Sequence, residues 1–154
     1  MQKNISADVA DRTRQPRWLD ISTLTDVDLT SEDPTHPVEH ALLGDADGWC
    51  AGTPGVQTIR LRFHEALTLH RIRLIFEETS HARTQEFVLR WFPVRGNSGR
   101  DIVRQQFTFS PQGSTIEVED YSVTLEGVGT LELVIVPDIS GGETVATVKE
   151  WRVA

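Results

Sequence analysis

The chain has 154 residues and a net charge of −8, with 38% hydrophobic and 25% charged residues. This length and composition are typical of a single domain that can bury its own hydrophobic core. A strongly acidic chain is a poor partner for duplex nucleic acid, because binding requires several phosphates to be neutralised at once. No apolar run approaches the ~20 residues of a membrane span. We therefore expect neither duplex-nucleic-acid binding nor a membrane-spanning segment.

The first residues and the cysteine content bear on domain organisation and compartment. Residues 1–16 lack hydrophobic periodicity, so we predict a flexible N-terminal tail there and a single domain over residues 17–154. The opening residues contain no hydrophobic region of the kind found in signal peptides. Cys50 is the only cysteine, so the chain cannot form an internal disulfide. These features slightly favour a cytoplasmic location.

The predicted elements, in chain order, are almost all short β-strands. The first candidate covers residues 17–24 and precedes an acidic stretch. Residues 58–63 and 70–76 alternate strictly, with apolar side chains on one face and arginines on the other, which is the period of half-buried antiparallel strands. Further candidate strands lie at 86–92, 102–109, 115–125, 131–136 and 146–153. Turn signals lie at 64–67, 93–100, 110–114, 126–129 and 137–142.

One short helical turn is predicted from Pro37 to Leu43, because proline suits the first helical position and Gly44 can end a helix. About eight strands with polar turns and one short helical turn are typical of an all-β protein. We therefore predict an antiparallel β-sandwich of the jelly-roll type.

The arginines of the alternating strands are predicted to lie on the solvent face of the sheet. There they would pair across strands with acids such as Glu117, Glu119 or Glu132. His70 shares the parity of Ile72 and Leu74 and is therefore expected to be partly buried.

One motif carries possible catalytic chemistry, since residues 36–40 match the H-x-x-E-H pattern of a class of zinc hydrolases. Such a site needs both histidines on one helical face and a third ligand. Pro37 leaves His36 outside the helix, and Gly44 ends the helix after about two turns. We interpret the match as accidental and predict that the protein is not an enzyme.

The segment that contains this motif has a second reading. After Ser31 and Glu32 comes the short helix, then Gly-Asp-Ala-Asp-Gly-Trp from Gly44 to Trp49, then alternating strands, and finally a strand in which Glu150 precedes apolar residues. This order resembles the galactose-binding-like domains, the discoidin or coagulation factor V/VIII type C family. The opening is also similar to that of the N-terminal domain of the eukaryotic single-strand-break repair scaffold. The resemblance implies a galactose-binding-like sandwich over residues 17–154.

Many members of this family hold a structural calcium ion near the loop before the tryptophan. The resemblance implies Asp45, Asp47 and Glu150 as its ligands, since calcium requires a cage of six or more oxygens. Leu43 stands where the family usually has another aspartate. The alternative is that Asp45 and Asp47 satisfy backbone donors as ordinary turn residues.

The resemblance also implies a ligand site in the loops at one end of the sandwich, where sugar-binding members of the family place theirs. Alternate connections of an antiparallel sandwich gather at one end, here the loops at 44–55, 77–85, 110–114 and 137–143. The candidate ligand-binding residues are His81, Arg83, Asp45 and Glu78, because planar and charged groups can bind vicinal hydroxyls or a carboxylate. The alternative is that these are solvated loop residues.

Two functions follow from these observations. The first is a non-catalytic module that recognises a carbohydrate or a similar polar small ligand through these loops. The second is a protein-protein interaction or assembly module that uses a sheet face or an edge strand. For the second, we predict an exposed apolar patch built from outward residues such as Ile75, Val134 and Val136.

Overall fold

The computed structural model describes residues 17–44 and 47–154. The predicted tail at residues 1–16 lies outside the described residues. The helices are α1 (Ile21–Leu24) and α2 (Val38–Leu42), and the strands are β1 (Thr25–Leu29), β2 (Trp49–Cys50), β3 (Gln57–Glu77), β4 (Arg83–Pro93), β5 (Arg100–Phe109), β6 (Ile116–Val136), β7 (Thr147–Val148) and β8 (Glu150–Val153). Every pairing between these strands is antiparallel. The all-β sandwich of about eight strands is confirmed, with two short helices where one helical turn was predicted.

The sandwich is built around two strands, β3 and β6, that are each 21 residues long. They pair along most of their length in the sheet order β1-β3-β6-β4-β5, while β2 and β7 form a separate small sheet. The first half of β3 pairs with β1 and its second half pairs with β8. Register shifts interrupt the β3–β6 ladder between Arg62 and Arg71, so the two halves form two layers.

This bend corrects two predicted turns. Residues 64–67 and 126–129 do not reverse the chain but lie inside β3 and β6, at the corner between the layers. Exposed polar residues and glycines occur there because the bent segment departs from regular pairing, although Val128 is buried. This combination gives the same sequence signal as a turn.

The same irregularity reverses the side-chain parity within β3. Leu69 and Ile72 are both fully buried although they are three residues apart, because the register shifts between Leu69 and Arg71. His70 is therefore exposed, and the prediction that it would be partly buried is wrong. Strict alternation gives the correct face only where no extra residue enters the ladder.

The first predicted strand, at 17–24, is also wrong. Residues 21–24 form α1, and the Thr25 hydroxyl donates a hydrogen bond of 2.8 Å to the Ile21 carbonyl oxygen at the end of that turn. The strand follows at Thr25–Leu29, where Asp26 and Asp28 lie on the outer face. The two acids alternate with apolar residues, so the period of two was present inside the acidic stretch.

One hydrophobic core joins the two layers. The predicted inward residues of β3 are buried, and the Phe76 and Phe87 rings pack with centroids 5.1 Å apart. Trp49 and Trp151 are fully buried and Trp91 nearly so. No helix in the part of the chain that the structure describes is long and apolar enough to cross a bilayer.

The outer face of the sheet carries cross-strand ion pairs, as predicted, but only one of the three expected acids takes part. Arg60 Nε lies 2.7 Å from the Glu132 carboxylate, which confirms that pair. Glu119 accepts a hydrogen bond from the Tyr121 hydroxyl instead of an arginine. Glu117 is buried on the inner side of its strand, so its predicted arginine pairing is wrong.

The predicted apolar patch is wrong as a single surface. Ile75 pairs with Val118 in one half of the β3–β6 ladder, whereas Val134 pairs with Thr58 in the other half. The bend places these halves in different layers, so Ile75 and Val134 face opposite sides of the sandwich.

Candidate functional site

Backbone hydrogen bonds join the loops predicted to share one end of the sandwich, or residues directly beside them. The Glu78 N–H donates to the Thr115 carbonyl oxygen at 2.9 Å, and the Ala51 N–H donates to the Ala146 carbonyl oxygen at 2.9 Å. The Ile139 N–H donates to the Thr84 carbonyl oxygen, at the start of β4, at 2.9 Å. Of the four predicted loops, 77–85 and 137–143 are joined directly, whereas Thr115 and Ala146 lie just outside the predicted bounds of the loops that they extend.

A cavity of about 170 Å³ opens between these loops, and we call it the loop-end pocket. Its lining residues are Asp47, Trp49, Cys50, Glu77, Glu78, Thr79, Thr147, Val148 and Lys149. Two of the predicted site residues, Asp47 and Glu78, therefore line one concave site. Asp45, predicted for both the ligand and the calcium site, lies outside the described residues.

Glu78 is the most highly connected polar residue of the pocket. Its Oε1 accepts a hydrogen bond of 2.9 Å from Arg83 Nε, and its Oε2 accepts one of 3.1 Å from the Ser80 N–H. His81 Nδ1 lies 3.9 Å from the same Oε1. Burial opposes ionisation, but the hydrogen bonds from Arg83 and Ser80 outweigh it and lower the pKa of Glu78. The carboxylate is therefore charged and fixed in direction at neutral pH.

The structure places Arg83 differently from the sequence-based expectation. Its side chain is fully buried and so does not reach a ligand. One terminal nitrogen donates to the Pro137 carbonyl oxygen at 2.8 Å and to Gln85, and the guanidinium lies 4.8 Å from the centroid of the Phe109 ring. A buried guanidinium is tolerated when its donors are satisfied in this way. Arg83 thus holds the Glu78 carboxylate and bonds the start of the loop at Pro137.

The one other described member of the predicted ligand-binding set is His81, which lies beside Glu78. The His81 side chain is 64% exposed and does not line the pocket. Across the pocket, Lys149 Nζ donates to Glu77 at 3.2 Å, so this acid is already paired.

Among the described residues, the pocket lining offers no exposed aromatic ring on which a sugar could stack. Trp49 lines it but is fully buried, and its indole N–H donates to the Ser31 carbonyl oxygen at 3.2 Å. Apolar surface is supplied at the same end of the sandwich by a cavity of about 270 Å³. Val56 and Ile139 line that cavity and are half exposed. Sequence reasoning missed both, although apolar residues within Gly- and Pro-rich loops are a usable signal.

The contacts of Glu150 do not fit the calcium cage that the resemblance implied. Its two oxygens lie 3.5 Å from Arg152 Nε and 3.7 Å from Arg73 Nε. Arg152 also donates from Nη2 to the Leu43 carbonyl oxygen at 3.1 Å. Two guanidinium groups therefore occupy the surroundings that a divalent cation would need, and like charges at this range repel. Within residues 17–44 and 47–154, no group of three or more His, Cys, Asp or Glu side chains is arranged to hold a metal.

The H-x-x-E-H motif is likewise not arranged as a zinc site. Helix α2 begins at Val38, after His36, and is five residues long. His36 Nδ1 instead lies 2.9 Å from the Thr35 hydroxyl and 3.5 Å from the Asp33 carboxylate.

A second polar cluster, which sequence reasoning did not find, lies inside the sandwich near Arg83. The Glu117 carboxyl is buried and accepts a hydrogen bond of 3.1 Å from Gln85 Nε2. Burial and the neighbouring Glu119 carboxylate raise the pKa of Glu117 to about 8. The Tyr121 hydroxyl donates to Glu119 at 2.6 Å. Burial raises the pKa of Tyr121 as well. Glu117 is therefore largely protonated at neutral pH.

No protein-family model matches the sequence, and no curated protein matches it. Solved structures do match. The CBM32-3 module from a family 31 glycoside hydrolase of Clostridium perfringens aligns with a TM-score of 0.65 and 16% identity, covering 88% of this chain and 93% of that chain. A pectin-binding carbohydrate-binding module aligns with a TM-score of 0.58 and 16% identity, covering 84% of this chain and 89% of that chain.

Reduced XRCC1, solved bound to the DNA polymerase β catalytic domain, aligns with a TM-score of 0.61 and 15% identity, covering 85% of this chain and 95% of that chain. From these alignments, the present chain has a galactose-binding-like fold. The family resemblance seen in the sequence is thereby confirmed at the level of the fold. At these identities the likeness establishes the fold alone, because one scaffold of this kind hosts unrelated ligands.

Proposed function

We propose that this galactose-binding-like domain is a non-catalytic carbohydrate-binding module whose ligand occupies the loop-end pocket. The observation that carries the proposal is the fixed, ionised Glu78 carboxylate in a concave site with Asp47 and Lys149 around it. Convergent polar groups in a concavity are the usual form of a small-ligand site. Several structural neighbours are carbohydrate-binding modules, which supports the ligand class.

Each polar group has a role toward a sugar. Glu78 retains acceptor capacity for sugar hydroxyls, because a carboxylate offers about four lone-pair positions. Thr79 and Thr147 add hydroxyls that donate or accept, and Lys149 adds a donor. Because Arg83 fixes Glu78 before binding, less conformational freedom is lost when the ligand binds.

The arrangement supports binding more than catalysis. The two glutamates of the pocket each accept a hydrogen bond from a cation, Glu77 from Lys149 and Glu78 from Arg83. The pKa of Glu78 is lowered, so that carboxyl is ionised at neutral pH. A general acid needs a carboxyl that is protonated at neutral pH. Glu117 has that property but is buried and does not line the pocket.

A glycan array, repeated with and without calcium, would identify ligands, and calorimetry would then measure affinity for the E78Q variant. We expect E78Q to bind at least about tenfold more weakly, since a hydrogen bond to a charged group contributes about 1.5–3 kcal/mol. The matched control is E86Q, because Glu86 is also a partly exposed glutamate paired with an arginine, Arg104. If no glycan binds, or if both variants bind like the wild type, the proposal is wrong.

A protein-interaction function is the second candidate, and one surface favours it. Ile116 and Val118 on β6 are 46% and 53% exposed, and Ile75 lies beside Val118 across the strand pair. This part of β6 pairs with β3 alone among the described strands, so its other edge can accept a partner strand. The V118K variant should abolish such a complex and leave glycan binding unchanged. Equal binding of a purified partner by wild type and V118K would exclude this surface.

A further inference from the structure

A second concave site lies on the outer face of the sheet, away from the loop-end pocket. Its volume is about 380 Å³, and we call it the sheet-face groove. Its lining residues are Asp28, Arg60, Arg62, Phe92, Pro93, Gly96, Asn97 and Thr130. They come from four adjacent strands and from the hairpin between β4 and β5, so most of the groove has a rigid floor.

Each of the two arginines in the groove donates hydrogen bonds to one carboxylate. Arg60 Nε donates to Glu132 at 2.7 Å, and the Glu132 carboxylate is nearly buried beneath the groove. Arg62 donates from Nε and Nη2 to the two oxygens of Asp28, at 2.6 and 3.2 Å. Yet the Arg60 and Arg62 side chains remain 52% and 50% exposed.

This pairing leaves the groove with an excess of hydrogen-bond donors. Among the described residues, neither terminal nitrogen of Arg60 nor Nη1 of Arg62 donates a hydrogen bond. Both carboxylate oxygens of Asp28, by contrast, already accept from Arg62. Asn97 and Thr130 can donate as well. The group that complements this set is an anionic acceptor, because guanidinium–carboxylate hydrogen bonds are charge-assisted.

Beside the arginines, the groove offers apolar surface from Phe92 and Pro93. The hairpin passes so close to the Phe92 ring that a Cβ added at Gly99 would lie 2.8 Å from ring carbon Cε1. The close approach fixes the ring in place. A ligand that uses the whole groove therefore needs an apolar face next to its anionic group.

We propose that the sheet-face groove binds a hexuronic acid residue of an acidic polysaccharide. The sugar carboxylate would accept hydrogen bonds from Arg60 and Arg62, and the C–H face of the ring would pack against Phe92. A bare phosphate or sulfate ion would use the arginines but leave the ring uncovered. The inference extends the proposed carbohydrate-binding function, but it uses no residue of the loop-end pocket.

Calorimetry or NMR titration with tri-galacturonic acid tests the proposal, with the carboxyl-reduced trisaccharide as the neutral comparison. We expect the acidic sugar to bind at least about tenfold more tightly, with an affinity that falls as salt rises. Titration with free acetate separates recognition of a sugar acid from adsorption of any carboxylate, and acetate should bind far more weakly than the trisaccharide.

Three variants locate the site. R62Q removes one exposed guanidinium, F92A removes the apolar face, and R60K keeps a cation beside the buried Glu132 but loses the outward guanidinium nitrogens. Each should weaken binding of tri-galacturonic acid about tenfold or more. R104Q is the matched control, since Arg104 is 58% exposed and paired with a glutamate outside the groove. Circular dichroism of each variant checks that it is folded.

The outcomes separate this inference from the proposed function. Equal binding of the acidic and neutral trisaccharides, or unchanged binding by R62Q and F92A, would overturn the groove as a uronate site. If E78Q loses a neutral glycan while uronates bind nowhere, the proposed function stands and this inference fails. If uronate binding is lost in R62Q but kept in E78Q, the groove is a separate site.

Discussion

The loop-end pocket and the sheet-face groove both contain arginine–carboxylate pairs, but the pairs face opposite ways. At the loop end the arginine is buried and the carboxylate lines the cavity, so Arg83 presents Glu78 as an acceptor. In the groove Arg60 is half exposed and its carboxylate partner, Glu132, is nearly buried. The same two residue types thus create an acceptor-rich site in one place and a donor-rich site in the other. Burial of one partner decides which chemistry remains for a ligand.

The largest effect that tests this contrast is on stability. R83M should lower the free energy of unfolding by about 3–5 kcal/mol, because it removes a buried charge whose partners stay buried. R62M should change it by less than about 1 kcal/mol, since Arg62 is in an exposed pair. Urea denaturation of both variants measures the difference. Similar losses for the two would show that Arg83 is not buried as described.

The next effect concerns the inner cluster beside Arg83 and depends on pH. The pKa of Glu117 is raised from 4.5 to about 8 in the folded protein, so folding favours its protonated form. The contribution of Glu117 to the free energy of unfolding is fully present below pH 4.5 and is lost as pH rises through about 8. At pH 9 the E117Q variant should therefore be more stable than the wild type by more than about 1 kcal/mol.

Thermal unfolding from pH 4 to pH 9 checks this prediction, with E126Q as a control on an exposed glutamate of the same strand. E117Q should reduce the downward slope of stability between pH 5 and pH 9, whereas E126Q should follow the wild type. A wild-type curve that rises over that range would contradict the raised pKa.

The contribution of Glu78 to stability should change with pH in the opposite direction to that of Glu117, and by a smaller amount. Its pKa is lowered in the folded protein, so its contribution is present above the unfolded value near 4.5 and is lost as pH falls. Comparing E78Q with the wild type should show a stability difference at pH 7 that shrinks as pH falls below 4.5. A difference that grows on acidification would mean that Arg83 does not hold the ionised carboxylate.

The smallest expected effect is that of calcium. Because Arg152 and Arg73 surround Glu150, adding calcium or a chelator should leave the melting temperature unchanged. R152M should be modestly less stable, since it releases the Leu43 carbonyl oxygen from the last strand. A rise of several degrees in the melting temperature of the wild type with calcium would show that a cation binds near this loop.

Much of the fold could be predicted from local sequence. Alternation in 58–63 and 70–76 correctly placed the buried side chains, because each strand has one face on the core. Alternation gave the wrong burial for His70, because the register shift reverses the two faces of β3 there. It also misplaced β1, because two aspartates obscured the apolar period of that strand. The long strands were divided at 64–67 and 126–129 because a bend and a turn require similar residues.

The candidate site was predicted in part. The loop grouping and Glu78 came from strand order, which needs no side-chain detail. Arg83 was assigned to the ligand because a polar residue in a loop segment is usually exposed, whereas its first-strand position lets the side chain point inward. The groove was not found, because it joins Asp28, Arg60 and Phe92 from distant parts of the chain.

The sequence by itself determined the layered β architecture, the end at which the loops gather, and the resemblance to galactose-binding-like domains, because these follow from period and order along the chain. Only the tertiary structure decided which charges are buried and which are presented to solvent. That choice depends on the bend in β3 and β6 and on partners far apart in sequence. Burial together with hydrogen-bond partners shifts the pKa values of Glu78 and Glu117, and burial decides which donors or acceptors are left for a ligand.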